Sequence, residues 1–324
     1  EAMLSLGNEI NRMGSVDLGT TVSDYHPGEK DRKISIHSTP LHMNWKDIKF
    51  NFIDAPGYSD FIGESIGSLG VVDMAAVLIH AVNGIEVGTE LMWSTASDLG
   101  IPKILVVNGL DREHTKYDEI LNQAKERFGK NVFPMQLPVN AGPNFDQVID
   151  VLRSELITYK TDGSGSYKEE PLPENLVSDV NNLHSELIEY VAESDDSLLE
   201  KYFEKGNLTE EEMRGGIHQA IQNQIFIPMF CVSSELNIGV ARFCDFISKY
   251  GSSPDDRKTV KAINNKDEDI EISLDGNNTV IQIFKTMSES HIGELSLFRV
   301  YSGVVKTGDD LFNTNRNNSE RMGQ

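Results

Sequence analysis

Phe52-Ile53-Asp54-Ala55-Pro56-Gly57-Tyr58 is the stretch on which the reading of this chain turns. Apolar residues run into an acid, and the acid runs into a Pro-Gly turn. A strand that ends this way carries Asp54 at its carboxyl tip, where a carboxylate can hold the water shell of Mg²⁺. Gly57 has no Cβ, so its backbone N–H can come close to a terminal phosphate. The same residues are also ordinary turn chemistry, and taken alone the stretch leaves both readings open.

Moving outward, two more apolar runs end in polar loops. Pro102-Lys103-Ile104-Leu105-Val106-Val107-Asn108 leads into Gly109-Leu110-Asp111, and Ile225-Phe226-Ile227-Pro228-Met229-Phe230-Cys231 leads into Val232-Ser233-Ser234. Upstream lies Arg32-Lys33-Ile34-Ser35-Ile36. The run Ala75 to Ala81 predicts a short strand buried on both faces. Leu41 to Trp45 and Ile48 to Ile53 flank Lys46-Asp47 and predict a hairpin. Glu86 to Leu99 has helical spacing at Val87, Leu91, Met92, Trp93 and Ala96, closed by Gly100-Ile101-Pro102. Strands alternating with helices predict a doubly wound α/β sheet. Functional loops then sit at the carboxyl ends of the strands, where Asp54, Asn108 and Ser233 fall.

The chain has 324 residues, enough for two domains, and a formal net charge of −22. That charge argues against general attraction to nucleic acid but permits local contacts. Cys231 and Cys244 fit no metal or disulfide framework and read as reduced thiols of a cytosolic protein. No apolar run approaches the length of a membrane span, and no signal peptide is seen. Glu1 to Gly14 reads as an amphipathic helix with apolar points at Met3, Leu4, Ile10 and Met13. A long insertion, about 138–223, holds a Gly/Ser turn at 162–166. It also holds a helix with apolar positions at Leu176, Val180, Leu183, Leu187 and Val191. Its acid runs, Glu193-Ser194-Asp195-Asp196 and Glu210-Glu211-Glu212, read as a solvated face. Gly251 to Asp256 has linker composition. Beyond it, Thr279 to Phe284 and Leu295 to Tyr301 read as strands, with turns at Ile292-Gly293 and Thr307-Gly308-Asp309.

The order and spacing of these motifs resemble the G domain of a translational GTPase, most closely elongation factor G. The resemblance continues through Gly84-Ile85-Glu86-Val87-Gly88-Thr89-Glu90 and Arg299-Val300-Tyr301-Ser302-Gly303, nearly the whole chain. The Ala-Pro-Gly-Tyr form of the turn looks like a divergent second paralogue of that factor. The resemblance implies a P-loop-GTPase-like doubly wound sheet over 1–253, with an inserted α/β subdomain at about 138–223. It implies the start of a β-barrel domain over 258–324. It further implies ribosomal translocation driven by hydrolysis of GTP to GDP and phosphate, with Mg²⁺ as cofactor. The implied partners are the ribosome's RNA and its stalk proteins, the latter through the insertion, for a cytoplasmic monomer with no membrane association. In the family a Gly-x-x-x-x-Gly-Lys-Ser/Thr loop precedes the first helix. No such motif occurs in this sequence, so the chain reads as cut just after it, or the loop is lacking. The other end also reads as cut, because Gln324 stops within a β-rich pattern.

Residue by residue, Asp111 carries over as the reader of guanine, whose N1–H and N2–H₂ can donate side by side to one carboxylate. Asn108 can bond the base and tie neighbouring loops together. The plainer reading of both is a polar strand-end turn. Gly109 stands where the family has Lys, whose stem covers one face of the base; losing that cover should weaken binding by roughly 1–2 kcal/mol. Ser233, with Ser234 beside it, matches the family's Gly-Ser-Ala loop at the base, with Val232 in place of the Gly. The plainer reading is a Ser-rich helix cap before Ile238-Gly239-Val240. Ser35 aligns with the family's switch Thr, a Mg²⁺ ligand, with Lys33 in place of a Gly; the plainer reading is a mobile polar loop. Tyr58 follows Gly57 where the family has the His that positions the attacking water. A phenol still donates and accepts hydrogen bonds but does not become a cation near pH 7, so hydrolysis should be slower. His26, His37, His80, His114 and His184 read as ordinary core or surface residues. A second reading is a ribosome-binding module with a degraded nucleotide site. Gly109, Val232 and Tyr58 favour it, and Asp54, Gly57, Asn108 and Asp111 favour hydrolysis.

Overall fold

The computed structural model describes residues 1–264, 266, 268–275, 278–289 and 293–323. The chain divides into two compact units, Glu1–Ser252 and Ser253–Gln324.

The first unit opens with α1 (Ala2–Leu6) and α2 (Pro27–Arg32), followed by the antiparallel pair β1 (Thr39–Trp45) and β2 (Ile48–Asp54). The hairpin falls where the sequence places it. Met43 pairs with Phe50 across it, and both are buried. Lys46 takes the left-handed conformation its two-residue turn requires (φ 53°). The helix expected over Glu1 to Gly14 is cut short at Leu6. Gly7 closes it, Asn8 turns left-handed at φ 58°, and the Glu1 carboxylate accepts the Gly14 and Val22 N–H groups, each at 2.6 Å. The apolar points keep their inward role without the helix: Leu4 is buried, and Met3, Ile10 and Met13 pack against the same core.

A mixed α/β layer follows. It comprises α3 (Ile62–Leu69), β3 (Ala75–His80), α4 (Val87–Asp98), β4 (Lys103–Asn108), α5 (Tyr117–Phe128) and β5 (Val132–Pro134). An antiparallel sheet is then formed by β6 (Gln136–Pro138), β7 (Gln147–Asp150), β8 (Glu155–Tyr159) and β9 (Tyr167–Pro171). Helices α6 (Glu174–Ala192), α7 (Asp196–Lys205) and α8 (Glu210–Gln222) lead into β10 (Ile227–Val232) and α9 (Val240–Tyr250). The central sheet is parallel, in the order β3-β4-β10-β5. One face packs Ile104, Val106, Phe230 and Val232 against Phe243 and Phe246 of α9 and against α6 and α8. The other packs Leu105, Val107, Met229 and Cys231 against Tyr117, Ile120 and Ala124 of α5. Apolar side chains on both faces make β4 and β10 continuous apolar runs.

β3 departs from expectation. Val77 and Ile79 are buried, but Ala76, Leu78 and His80 alternate outward, and Leu78 is 60 % exposed. Among the described strands only β4 pairs with β3. An edge strand covered on one face shows period-two burial whatever its composition.

The insertion's expected helix is α6. Some of its acids do more than solvate a face. Asp195 caps α7, accepting from the Ser197 and Leu198 N–H groups at 2.8 and 3.3 Å. Glu212 closes a capping box with Thr209 at the start of α8 and pairs with Lys201 at 2.8 Å. The Lys201 ammonium and the Thr209 donors hold its carboxyl down at about 2. The inserted sheet is fastened to α9 by Arg242, which is 5 % exposed, pairs with Glu155 and Glu169 and stacks on Tyr167. Cys231 and Cys244 are both buried free thiols, and burial pushes Cys244 up to about 12.

The second unit is β-rich. Antiparallel pairs are formed by β11 (Thr259–Ile263) with β12 (Asp269–Ser273), β13 (Val280–Glu289) with β14 (Gly293–Ser302), and β15 (Asp310–Asn313) with β16 (Asn318–Arg321). The expected turn at 307–309 is present, with the Lys306 N–H donating to the Asp309 carboxylate at 2.7 Å. The turn placed at Ile292-Gly293 lies in part outside the described residues.

Candidate nucleotide and metal site

The parallel register sets three strand tips level with one another. His80 of β3 and Val232 of β10 both lie across from Asn108 of β4. The loops that leave these tips form one polar cluster. Asn108 Oδ1 accepts from the Gly109 N–H and the Ser234 N–H, each at 2.9 Å, and its Nδ2 donates to Ser234 Oγ at 3.0 Å. Two backbone donors on one side-chain atom fix which end of the amide is oxygen. One of the two Nδ2 hydrogens is left over.

Asp111 follows in the loop that leaves β4, with its side chain 12 % exposed. Its Oδ1 is buried and has no hydrogen-bond partner among the described residues, and its Oδ2 lies 4.0 Å from Arg112 Nε. A buried acceptor without a donor costs roughly 1–3 kcal/mol, more when charged. The carboxylate therefore keeps acceptor capacity that the described residues leave unused, and a guanine edge supplies two donors.

Ser233 and Ser234 divide the work that the sequence assigned to the pair. Ser233 is fully buried, is bridged to Ile238 through both backbone groups, and its Oγ accepts from the Leu236 N–H at 3.2 Å. The exposed Ser234 is the one that reaches Asn108. Neither serine caps α9. Gly239 does, at φ 78°, where an added Cβ would meet the Cys231 carbonyl oxygen at 2.5 Å. Val232, in the family's Gly position, ends β10 and accepts from the Gly109 and Leu110 N–H groups through its carbonyl.

Gly109 is left-handed at φ 86°. The space above it is open: an added Cβ would find Arg112 Cγ at 3.6 Å and His80 Nε2 at 3.9 Å. Backbone conformation, rather than crowding, is what favours glycine there over lysine. Arg112 in turn pairs with Glu235 at 2.7 Å, and His80 Nδ1 accepts from the Val82 and Asn83 N–H groups at 3.2 and 3.3 Å. These three residues were not singled out from sequence as part of the site. Only the adjacency of Arg112 to Asp111 could have suggested one of them.

A second group of residues surrounds the tip of β2. Asp54 keeps contact with solvent, but the protein atoms crowded around it push its carboxyl above the ordinary range. Asp24 and Glu29 add to that shift, and a hydrogen bond from Ser23 opposes it. A divalent cation would offset the like charges of Asp24 and Glu29 and favour the ionised carboxylate, so the residues fit Mg²⁺. Among the described residues no cluster of three His, Cys, Asp or Glu could hold a metal by protein ligands alone. Mg²⁺ commonly binds through one or two carboxylates plus phosphate and water, so a single acid is compatible with it.

Ser35 lies two residues beyond Lys33, which ends α2 left-handed at φ 57°, the conformation a glycine would take without strain. The loop is pinned rather than loose. The Glu29 carboxylate accepts from the His26 N–H at 3.1 Å and from the Ile36 and His37 N–H groups at 3.0 Å. Gly57 follows Pro56 in open space, and the absence of a Cβ on Gly88 lets the start of α4 approach its carbonyl: an added Cβ would lie 2.7 Å from Gly57 O. Tyr58 is 59 % exposed and starts the short turn Ser59–Phe61.

Two comparisons bear on these residues. The family described as Elongation factor Tu GTP binding domain matches residues 1–253. A crystal structure of a protein from Thermus thermophilus is similar at 28% identity with a TM-score of 0.86, covering 99% of this chain and 45% of that one. The chain thus spans less than half the length of that structure.

Proposed function

This chain belongs to the Elongation factor Tu GTP-binding domain family, and from that premise we propose that it carries the guanine-nucleotide site of an elongation factor G-like translational GTPase. The observation that carries the reading is the Asp111 carboxylate, whose Oδ1 has no hydrogen-bond partner among the described residues, on the loop that leaves the Asn108–Ser234 clasp. In this reading Asp111 accepts from N1–H and N2–H₂ of guanine, and the spare Nδ2 hydrogen of Asn108 points to the base. Asp54 and the Ser35 hydroxyl hold Mg²⁺, which when bound neutralises charge on the terminal phosphates. Gly57 offers its N–H to the γ-phosphate, and the Tyr58 hydroxyl orients the attacking water.

We assign residues 1–253 to the nucleotide-binding domain, about 138–223 to an inserted subdomain, and 258–324 to the beginning of a β-barrel. The partner is the ribosome, its RNA and its stalk proteins, and the work done is translocation by a cytoplasmic monomer. No helix among the described residues is long and apolar enough to cross a membrane. One observation favours a second reading, binding without hydrolysis: the Tyr58 side chain is 59 % exposed and is not held by a hydrogen bond among the described residues.

The experiment is nucleotide preference. Asp111→Asn places a donor where guanine also donates, whereas the 2-oxo group of xanthine accepts. In the full-length protein the variant should lose GTP affinity and gain XTP affinity. Equal GTP and XTP affinities in the variant and its parent would remove Asp111 as the base reader.

A further inference from the structure

Consecutive side chains of α3 hold two different loops. Glu64 Oε2 accepts from the Ser38 backbone N–H at 2.7 Å and from the Ser38 hydroxyl at 2.8 Å. Ser65, the next residue, donates its hydroxyl to the Pro56 carbonyl at 2.7 Å. Ser38 and Ser65 are both buried, at 4 and 2 % exposure. Neighbouring positions on a helix point about 100° apart, so α3 can present one side chain to each loop. The first loop carries Ser35, three residues before Ser38. The second carries Gly57 and Tyr58, directly after Pro56.

Glu29 secures the first loop from another element. Its Oε1 takes the Ile36 and His37 N–H groups, so the backbone donors of 36, 37 and 38 all end on carboxylates from α2 and α3. The loop cannot shift as a unit without giving up charge-assisted bonds to one helix or the other.

We propose that Glu64 is a positioning residue: together with Ser65 it makes α3 a strut that couples the Ser35 loop to the Pro56–Tyr58 turn. Ordering one loop then orders the other. The purpose of the coupling rests on the GTP-hydrolysis reading, in which one loop faces the metal and the other the attacking water. Glu64 acts on both through the loop it holds, by way of Ser38.

Backbone hydrogen exchange of the full-length protein tests the coupling without any nucleotide. Glu64→Ala should raise exchange about tenfold, the scale of one lost hydrogen bond, at both 36–39 and 56–61, with β4 and β10 unchanged. Glu64→Gln, which keeps an acceptor oxygen, should restore most of the protection at both segments. Ser38→Ala removes only the hydroxyl bond and should give a smaller change of the same pattern. With nucleotide, Glu64→Ala should lower kcat about tenfold while GDP affinity stays within about twofold, because a positioning role acts on the reaction rather than on base binding. Faster exchange confined to 36–39, with 56–61 unmoved, overturns the proposal. A parent protein that binds no guanine nucleotide sinks the functional reading instead, and the nucleotide-free exchange pattern still decides the coupling.

Discussion

Asn108 and Ser234 grip each other twice across two strand tips: Nδ2 donates to Oγ at 3.0 Å, and the Ser234 N–H returns a bond to Oδ1 at 2.9 Å. They are 126 positions apart in sequence, with the whole insertion between them. The grip fixes the distance between the loop that carries Asp111 and the loop that carries Ser233. A base-reading carboxylate is useful only if its neighbours hold still.

Asn108→Ala should therefore act on both stability and binding. It leaves the Ser234 N–H without its acceptor, while the Gly109 N–H keeps the Val232 carbonyl at 3.1 Å, and because water reaches this site the cost should be about 1 kcal/mol. Ser234→Ala removes a hydroxyl but keeps the Ser234 N–H bond, so its cost should be smaller. Urea unfolding gives the comparison. Equal midpoints for the parent and Asn108→Ala would show that the clasp contributes nothing.

Tyr58 separates hydrolysis from binding alone. Tyr58→Phe deletes only the hydroxyl and should slow ribosome-stimulated phosphate release by about tenfold, the scale of one lost transition-state hydrogen bond. Tyr58→His should raise the rate, since an imidazole can also take up a proton near neutral pH. For a binding module, both variants stay at background turnover while ribosome binding persists. A robust rate untouched by either substitution would remove Tyr58 from the reaction.

Glu29 gives a pH signature. Burial alone would raise its carboxyl, but the backbone N–H groups of His37, Ile36 and His26, with His37 also contributing its charge, outweigh burial and hold it below the ordinary 4.5. A depressed carboxylate contributes stability that is complete above the unfolded value and is lost as pH falls through the lower folded value. The parent should thus lose stability progressively below pH 4.5. Glu29→Gln should be less stable at neutral pH by about 1–3 kcal/mol and show a flatter acid limb. Thermal melts at several acid pH values measure this, and parallel acid limbs for the two proteins would rule it out.

Central strands were legible because composition reports burial directly: Ile104 to Val107 of β4 and all of β10 are apolar and lie inside the sheet. β3 has the same composition, but its exposure depends on which strands flank it, and a local run of residues does not carry that. The first helix was overread for a related reason. Met3, Leu4, Ile10 and Met13 do face the core, and their spacing mimics a helix that Gly7 and Asn8 interrupt. Asp54, Asn108, Asp111 and the Ser233-Ser234 pair could be singled out as candidates because each closes or follows an apolar run. Glu64 and Ser38 could not, since their partnership spans 26 positions and neither belongs to a recognisable pattern. The acid runs of the insertion hid two caps, Asp195 and Glu212, that only the helix boundaries reveal.

The far end of β2 settles something about its near end. At the turn between β1 and β2, Trp45 Nε1 and Lys46 Nζ both donate to a single oxygen of Asp245, at 2.9 and 2.5 Å. Asp245 belongs to α9, packed on the central sheet, so the hairpin is moored at its tip. Seven residues of extended chain separate that mooring from Asp54, about 20 Å at the usual rise of a strand. A strand held this way can swing but cannot slip lengthwise. A slip of one residue would also turn Phe50 out of the core and away from Met43. The axial position of the acid at one end of the strand is therefore set by an indole and an ammonium at the other, and an Asp245 variant should be felt at Asp54 without any contact between them.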